Sequence, residues 1–119
     1  MVEGVFSRGS RLTIRPIELG RRVVREMDDQ RSVDVNGRRV VPNHFVVTLS
    51  QKDYDGFANI KNVLVTELVE AAREYARAEN YHFLGPVAVQ LEVDGDAKPG
   101  RFDVTATLRQ QVPDPAAAP

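Results

Sequence analysis

A chain of 119 residues has the length of one ordinary domain, enough to enclose a single hydrophobic core without metals or cross-links. With 42% hydrophobic residues, 28% charged residues and a net charge of -1, its composition is that of a globular protein, not a disordered one, and the total charge selects no class of partner. The absence of cysteine excludes disulfides, thiolate zinc sites and cysteine nucleophiles, and it suits a cytoplasmic protein.

Met1 to Arg8 places Val2, Val5 and Phe6 at spacings of three and four, the pattern of the last turns of an amphipathic helix, with Gly9 as its stop. Met1 to Ser10 holds no apolar run of signal-peptide length, and no run of about 18 apolar residues occurs anywhere, so neither export nor a membrane span is expected. Pro16 suits a first helical position, because its missing N–H would be unpaired there in any case. A second helix is expected from Pro16 to Asp29, burying Ile17, Gly20, Val23 or Val24 and Met27, with Glu18, Arg22 and Glu26 one turn apart as surface ion pairs.

Val33 with Val35 and Val40 with Val41 flank Asn36-Gly37, a dipeptide that tolerates positive φ at both residues and predicts a tight hairpin turn. Pro42 interrupts the ladder, and His44 to Ser50 resumes as a strand with both faces apolar enough for a central position. Ser50 and Asp53 mark the start of a short helix over Gln51 to Phe57. A long helix follows from Lys61 to Glu79, with Ile60, Leu64, Leu68, Ala71, Ala72 and Tyr75 inward.

Val87, Val89, Leu91 and Val93 alternate with polar neighbours, Asp94 to Gly100 is turn chemistry, and Phe102, Val104, Ala106 and Leu108 answer the alternation. The simplest pairing of these two strands is an antiparallel hairpin. The long helix can serve as a right-handed crossover between parallel strands His44 to Ser50 and Val87 to Val93. The expected fold is α+β, one layer of helices on a small mixed sheet of three to four strands, in the order α-α-β-β-α-α-β-β. Residues 1–108 form the folded domain, and 109–119 begin a Pro/Ala-rich linker.

Several chemistries lack their parts. Neither G-x-x-x-x-G-K-[ST] nor G-x-G-x-x-G occurs, which removes the two commonest phosphate loops. His44 and His82 are the only histidines and have no second ligand at helical or strand spacing. Around Asp94 and Asp96 the third acidic position of a calcium loop is Lys98, and the distal glutamate is missing. No serine lies in a G-x-S-x-G elbow. No enzyme activity and no cofactor are expected.

Charge is uneven: Met1 to Arg39 holds nine arginines against six acids, and Val40 to Pro119 holds seven basic residues against eleven acids. Arg11, Arg15, Arg21, Arg22, Arg25, Arg38 and Arg39 can converge near one end of the second helix and the Asn36-Gly37 turn, a surface suited to phosphate, phospholipid headgroups or an acidic protein. A solvated helix face explains them equally well. The element order also resembles that of the type II K-homology fold, in which a GXXG loop between two helices clamps RNA. The corresponding Gly56-Phe57-Ala58-Asn59 lacks the second glycine, and no basic residue follows before Lys61. A nucleic-acid-binding module is therefore the second hypothesis, behind a protein-interaction domain. The candidate interaction surface comprises Arg15, Arg21, Arg22, Arg25, Arg38 and Arg39 together with Asn43 and His44.

Three segments carry a family resemblance: Ile14 to Arg22 with Arg25-Glu26-Met27, Val41 to Ser50, and Gly85-Pro86-Val87 with Gly100-Arg101-Phe102. Together they resemble the N-terminal domain of actinobacterial FhaA-type proteins over Val2 to Leu108. The resemblance implies a cytoplasmic, non-catalytic domain joined by a long linker to a C-terminal forkhead-associated domain that reads phosphothreonine. It further implies Ser/Thr kinase signalling, control of peptidoglycan synthesis, and a pseudokinase-bearing flippase component as partner through that absent domain. The family opens with a fuller first helix than Met1-Val2-Glu3-Gly4 provides. Apolar surface that such a helix covers is expected to be exposed and to favour self-association.

Overall fold

The computed structural model describes residues 13–110; the helix expected over Met1 to Arg8 and most of the expected linker lie outside them. The first described helix, α1 (Pro16–Asp29), starts from an extended Arg15 whose N–H donates to Glu18 Oε2 at 2.8 Å, with Pro16 in the first turn. Its buried stripe is Leu19, Val23 and Met27, and Ile17 is 55% exposed. The expected stripe is therefore corrected at its start: the i, i+4, i+8 set that includes Leu19 wins, because it aligns with Val23 and Met27. Arg22 pairs with Glu26 as expected, whereas Glu18 lies by Arg15, not Arg22.

Two short strands, β1 (Ser32–Val33) and β2 (Arg39–Val40), pair antiparallel as a ribbon apart from the main sheet, and β2 is bridged in parallel to His82 through Val41 N–H to His82 O and His82 N–H to Arg39 O. The turn differs from the one expected. Gly37 alone takes positive φ (80°), and the Asp34 carboxylate accepts from the N–H groups of Asn36 and Arg38, both at 2.9 Å. Gly37 N–H donates to Asp34 O at 3.0 Å, so a three-residue loop with a left-handed glycine replaces the two-residue turn. The Asp34 side chain, which templates its own turn, decides between them.

The main sheet has the order β4-β3-β5, from β3 (His44–Leu49), β4 (Ala88–Val93) and β5 (Phe102–Thr107). Between β3 and β4 run α2 (Gln51–Gly56), a 3-10 turn (Ala58–Ile60) and α3 (Lys61–Glu79). β3 is central as expected, burying Phe45, Val47 and Leu49 against the helices, and β4 lies parallel to it, from His44↔Ala88 to Leu49↔Val93. The expected β4–β5 hairpin is not formed: β5 pairs antiparallel with β3, from Leu49↔Phe102 to His44↔Thr107. Alternation settles which face a strand buries but not which strand it neighbours. The segment from Asp94 to Arg101 is long enough to step over the end of β3, about two strand spacings of ~5 Å each.

Buried Asp53 (3% exposed) fastens that step. Its carboxylate accepts from Ser50 Oγ at 3.0 Å, from Gly100 N–H at 2.8 Å and from Thr13 Oγ1. α3 buries Leu64, Leu68, Ala72 and Ala76, and ends at Asn80 in the left-handed conformation, where Tyr81 N–H returns to Ala76 O at 2.8 Å. α1 and α3 lie side by side on one face of the sheet, with Asp28 accepting from Tyr75 and Tyr81 hydroxyls at 2.7 and 2.6 Å. The fold class is α+β with one helix layer, and the strands divide into a three-stranded mixed sheet and a separate ribbon.

Candidate interaction site

The arginines expected to form one surface are spread along α1 and the β1–β2 ribbon, and several are engaged within the chain. Arg15 caps α1, 3.8 Å from Glu18. Arg22 bonds Glu26 at 3.0 Å and Asp103 of β5 at 3.1 Å; the Glu26 bond, working against partial burial, lifts its pKa further above the usual value. Arg38 holds Asp34 at 2.8 Å; its backbone N–H is the main cause of an Asp34 pKa below the ordinary value. Arg39 donates to Glu79 O at 2.6 Å, at the carbonyl end of α3, and stands 5.3 Å from the Tyr81 ring centroid. Arg21 and Arg25 are exposed and form no ion pair among the described residues.

Asn43 is buried (2% exposed) and serves as a bracket. Its amide donates to Pro86 O and Arg109 O, both at 3.0 Å, and its Oδ1 accepts from Arg109 N–H at 2.7 Å. It thus gathers the starts of β3 and β4 and the end of β5. His44 is half-buried on the sheet face away from the helices. No group of three His, Asp or Glu among the described residues is placed to hold a metal.

The site that the sequence did not disclose lies along β4. Because β5 pairs with β3, β4 is an edge strand, with no strand partner on its outer side among the described residues. Ala88 N–H donates to Asn43 O at 2.9 Å and Asp94 N–H to Leu49 O at 2.8 Å. Even-numbered residues of β4 therefore point their N–H groups at β3. By strand alternation, Val89, Leu91 and Val93 present N–H and C=O groups outward. Beside this edge an open groove of about 520 Å³ is lined by Lys61, Asn62, Val65 and Thr66 of α3 and Val89 to Glu92 of β4. The apolar residues among these are Val65, Val89 and Leu91, and the others are polar or charged. Alternation in Val87 to Val93 was the available signal, and the expected hairpin with β5 concealed it.

An exposed strand edge beside a groove of mixed polar and apolar lining can take an extended peptide as an added strand, with backbone bonds for affinity and the groove for side-chain selection. Phosphate fares worse there. Lys61 is the only cation in the lining; its Nζ donates to Tyr54 Oη at 2.9 Å and sits 5.2 Å from that ring's centroid, and Glu92 shares the groove. The loop in the K-homology clamp position is anchored inward by Phe57, which is 1% exposed.

The model of the FhaA N-terminal domain family matches residues 1–105. No curated protein matches the chain. The solved structure of the Rv0020c N-terminal region superposes with a TM-score of 0.77 over 90% of this chain and 78% of that one, at 22% identity, which shows a shared fold.

Proposed function

The chain belongs to the FhaA N-terminal domain family, and from that premise we propose that it is a non-catalytic protein-interaction domain of a forkhead-associated adaptor. The adaptor acts in cytoplasmic Ser/Thr kinase signalling that controls peptidoglycan synthesis. Within it, a neighbouring forkhead-associated domain reads phosphothreonine on the pseudokinase-bearing flippase component, and the present domain holds a second, unphosphorylated segment of the same assembly. The outer edge of β4 with its groove carries this reading, since it offers three residues' worth of outward backbone groups beside a groove of mixed polar and apolar lining.

A tiled peptide array covering the pathway's Ser/Thr kinases and flippase component tests it. An unphosphorylated tile is expected to bind and to shift amide resonances of residues 61–66 and 89–93. Val93→Pro, which removes an outward N–H at the strand's exposed end, should weaken binding about tenfold, equivalent to ~1.4 kcal/mol. No binding tile, or shifts confined to other elements, would sink the proposal. Single-stranded RNA shifting the same resonances at low salt would replace it with the nucleic-acid reading.

A further inference from the structure

The outer surface of the helix layer carries two stripes of opposite charge. α1 turns Leu19, Val23 and Met27 into the core, so at about 100° per residue the opposite side presents Ile17, Arg21 and Arg25. Ile17 is 55% exposed, and both arginines are exposed. α3 turns Leu64, Leu68, Ala72 and Ala76 inward, and its opposite side presents Val63, Glu67, Glu70 and Glu74. Val63 is 52% exposed and the three glutamates are exposed; among the described residues only Glu70 of the three has a cation nearby, Arg73 at 3.7 Å.

The two helices pack side by side on the same sheet face, joined by Asp28 to Tyr75 and by Gly20 facing Leu68. Both stripes therefore point away from the sheet in the same direction. Each begins with an exposed apolar residue four positions before its first charge, Ile17 before Arg21 and Val63 before Glu67.

We propose that this surface is a self-association interface whose occupant is a second copy of the chain. The copies stack helix layer on helix layer about a two-fold axis, each α1 lying on the other's α3. In that arrangement Arg21 and Arg25 of each copy meet the glutamate stripe of the other, and Ile17 and Val63 fill the contact. The rule that residue i meets j and j meets i closes the assembly at a dimer. The alternative two-fold stacking, α1 on α1, sets arginine against arginine and is disfavoured by repulsion. The groove uses a different side of α3, through Lys61, Asn62, Val65 and Thr66, so dimerisation leaves the β4 edge open and is independent of the peptide-binding reading.

Sedimentation velocity tests the interface. The chain should dimerise reversibly at low salt, where charges act over about 30 Å, and on the order of tenfold more weakly at 1 M, where they act over about 3 Å. A charge swap then separates this contact from any other. Arg21→Glu with Arg25→Glu makes both stripes acidic, and Glu67→Lys with Glu70→Lys and Glu74→Lys makes both basic. Each variant alone should stay monomeric, and their equimolar mixture should form a heterodimer. The single changes Arg21→Glu and Glu67→Lys repeat the test should a multiple variant lose its circular dichroism. A monomer throughout the low-salt series, a dimer indifferent to the swap, or a mixture that stays monomeric would overturn the proposal.

Discussion

Asp28 receives two phenol hydrogen bonds, and both ends of each bond are affected. Burial works against the charged carboxylate, yet the bonds from Tyr75 and Tyr81 and the charge of Arg31 together hold its pKa below the ordinary value. The Asp28 bond is the main reason the Tyr75 pKa is pushed up to about 12, and Tyr81 is raised for the same reason. A phenol with a raised folded pKa contributes stability that is complete below its unfolded value of about 10 and disappears as pH climbs toward 12. A carboxylate with a lowered folded pKa contributes stability above about 4 that disappears on further acidification. Urea denaturation across pH should therefore show an alkaline loss that Tyr75→Phe reduces. At neutral pH Tyr75→Phe should cost about 1.5–3 kcal/mol, the worth of a hydrogen bond to a charged group.

At the level of elements, the free edge of β4 has a signature that needs no ligand. The N–H groups of Ala88, Gln90 and Glu92 face β3, and those of Val89, Leu91 and Val93 face outward. Native-state hydrogen exchange should accordingly alternate, with the odd-numbered amides exchanging faster. Uniform protection along the strand would mean that another segment covers the edge. The same strand shows what could be read in advance. Its buried residues Val89 and Leu91, its parallel neighbour and its crossover helix followed from alternation and from the 3.6-residue period of residues 61–79. Its edge position did not, because Phe102, Val104 and Ala106 carry the same alternation whether β5 joins β4 or crosses to β3. Arg22 and Arg39 were visible as charges, but their bonds to Asp103 and Glu79 O span 81 and 40 residues, beyond the reach of any local pattern. Asn43 looked like an accessible polar residue after a proline and is instead consumed by three backbone groups.

For the whole molecule, the folded unit reaches slightly past its last strand. Leu108 is 38% exposed, yet Arg109 beyond it exchanges two hydrogen bonds with Asn43. A chain ending at Gln110 should match the full chain in denaturant midpoint. One ending at Thr107 leaves the buried Asn43 side chain with Pro86 O alone and its Oδ1 unpartnered, and should lose about 1–3 kcal/mol. Asp53 makes a comparable connection at the opposite end of the sheet, with consequences for how the chain assembles. Its partners Thr13 and Gly100 lie 40 and 47 positions away on either side. A partly folded β3-α2-α3-β4 unit would have to bury a carboxylate with only Ser50 to bind it. That penalty falls on every half-built state and is lifted only when both distant partners arrive, so this one side chain discourages partial folds and sharpens the transition to all-or-none.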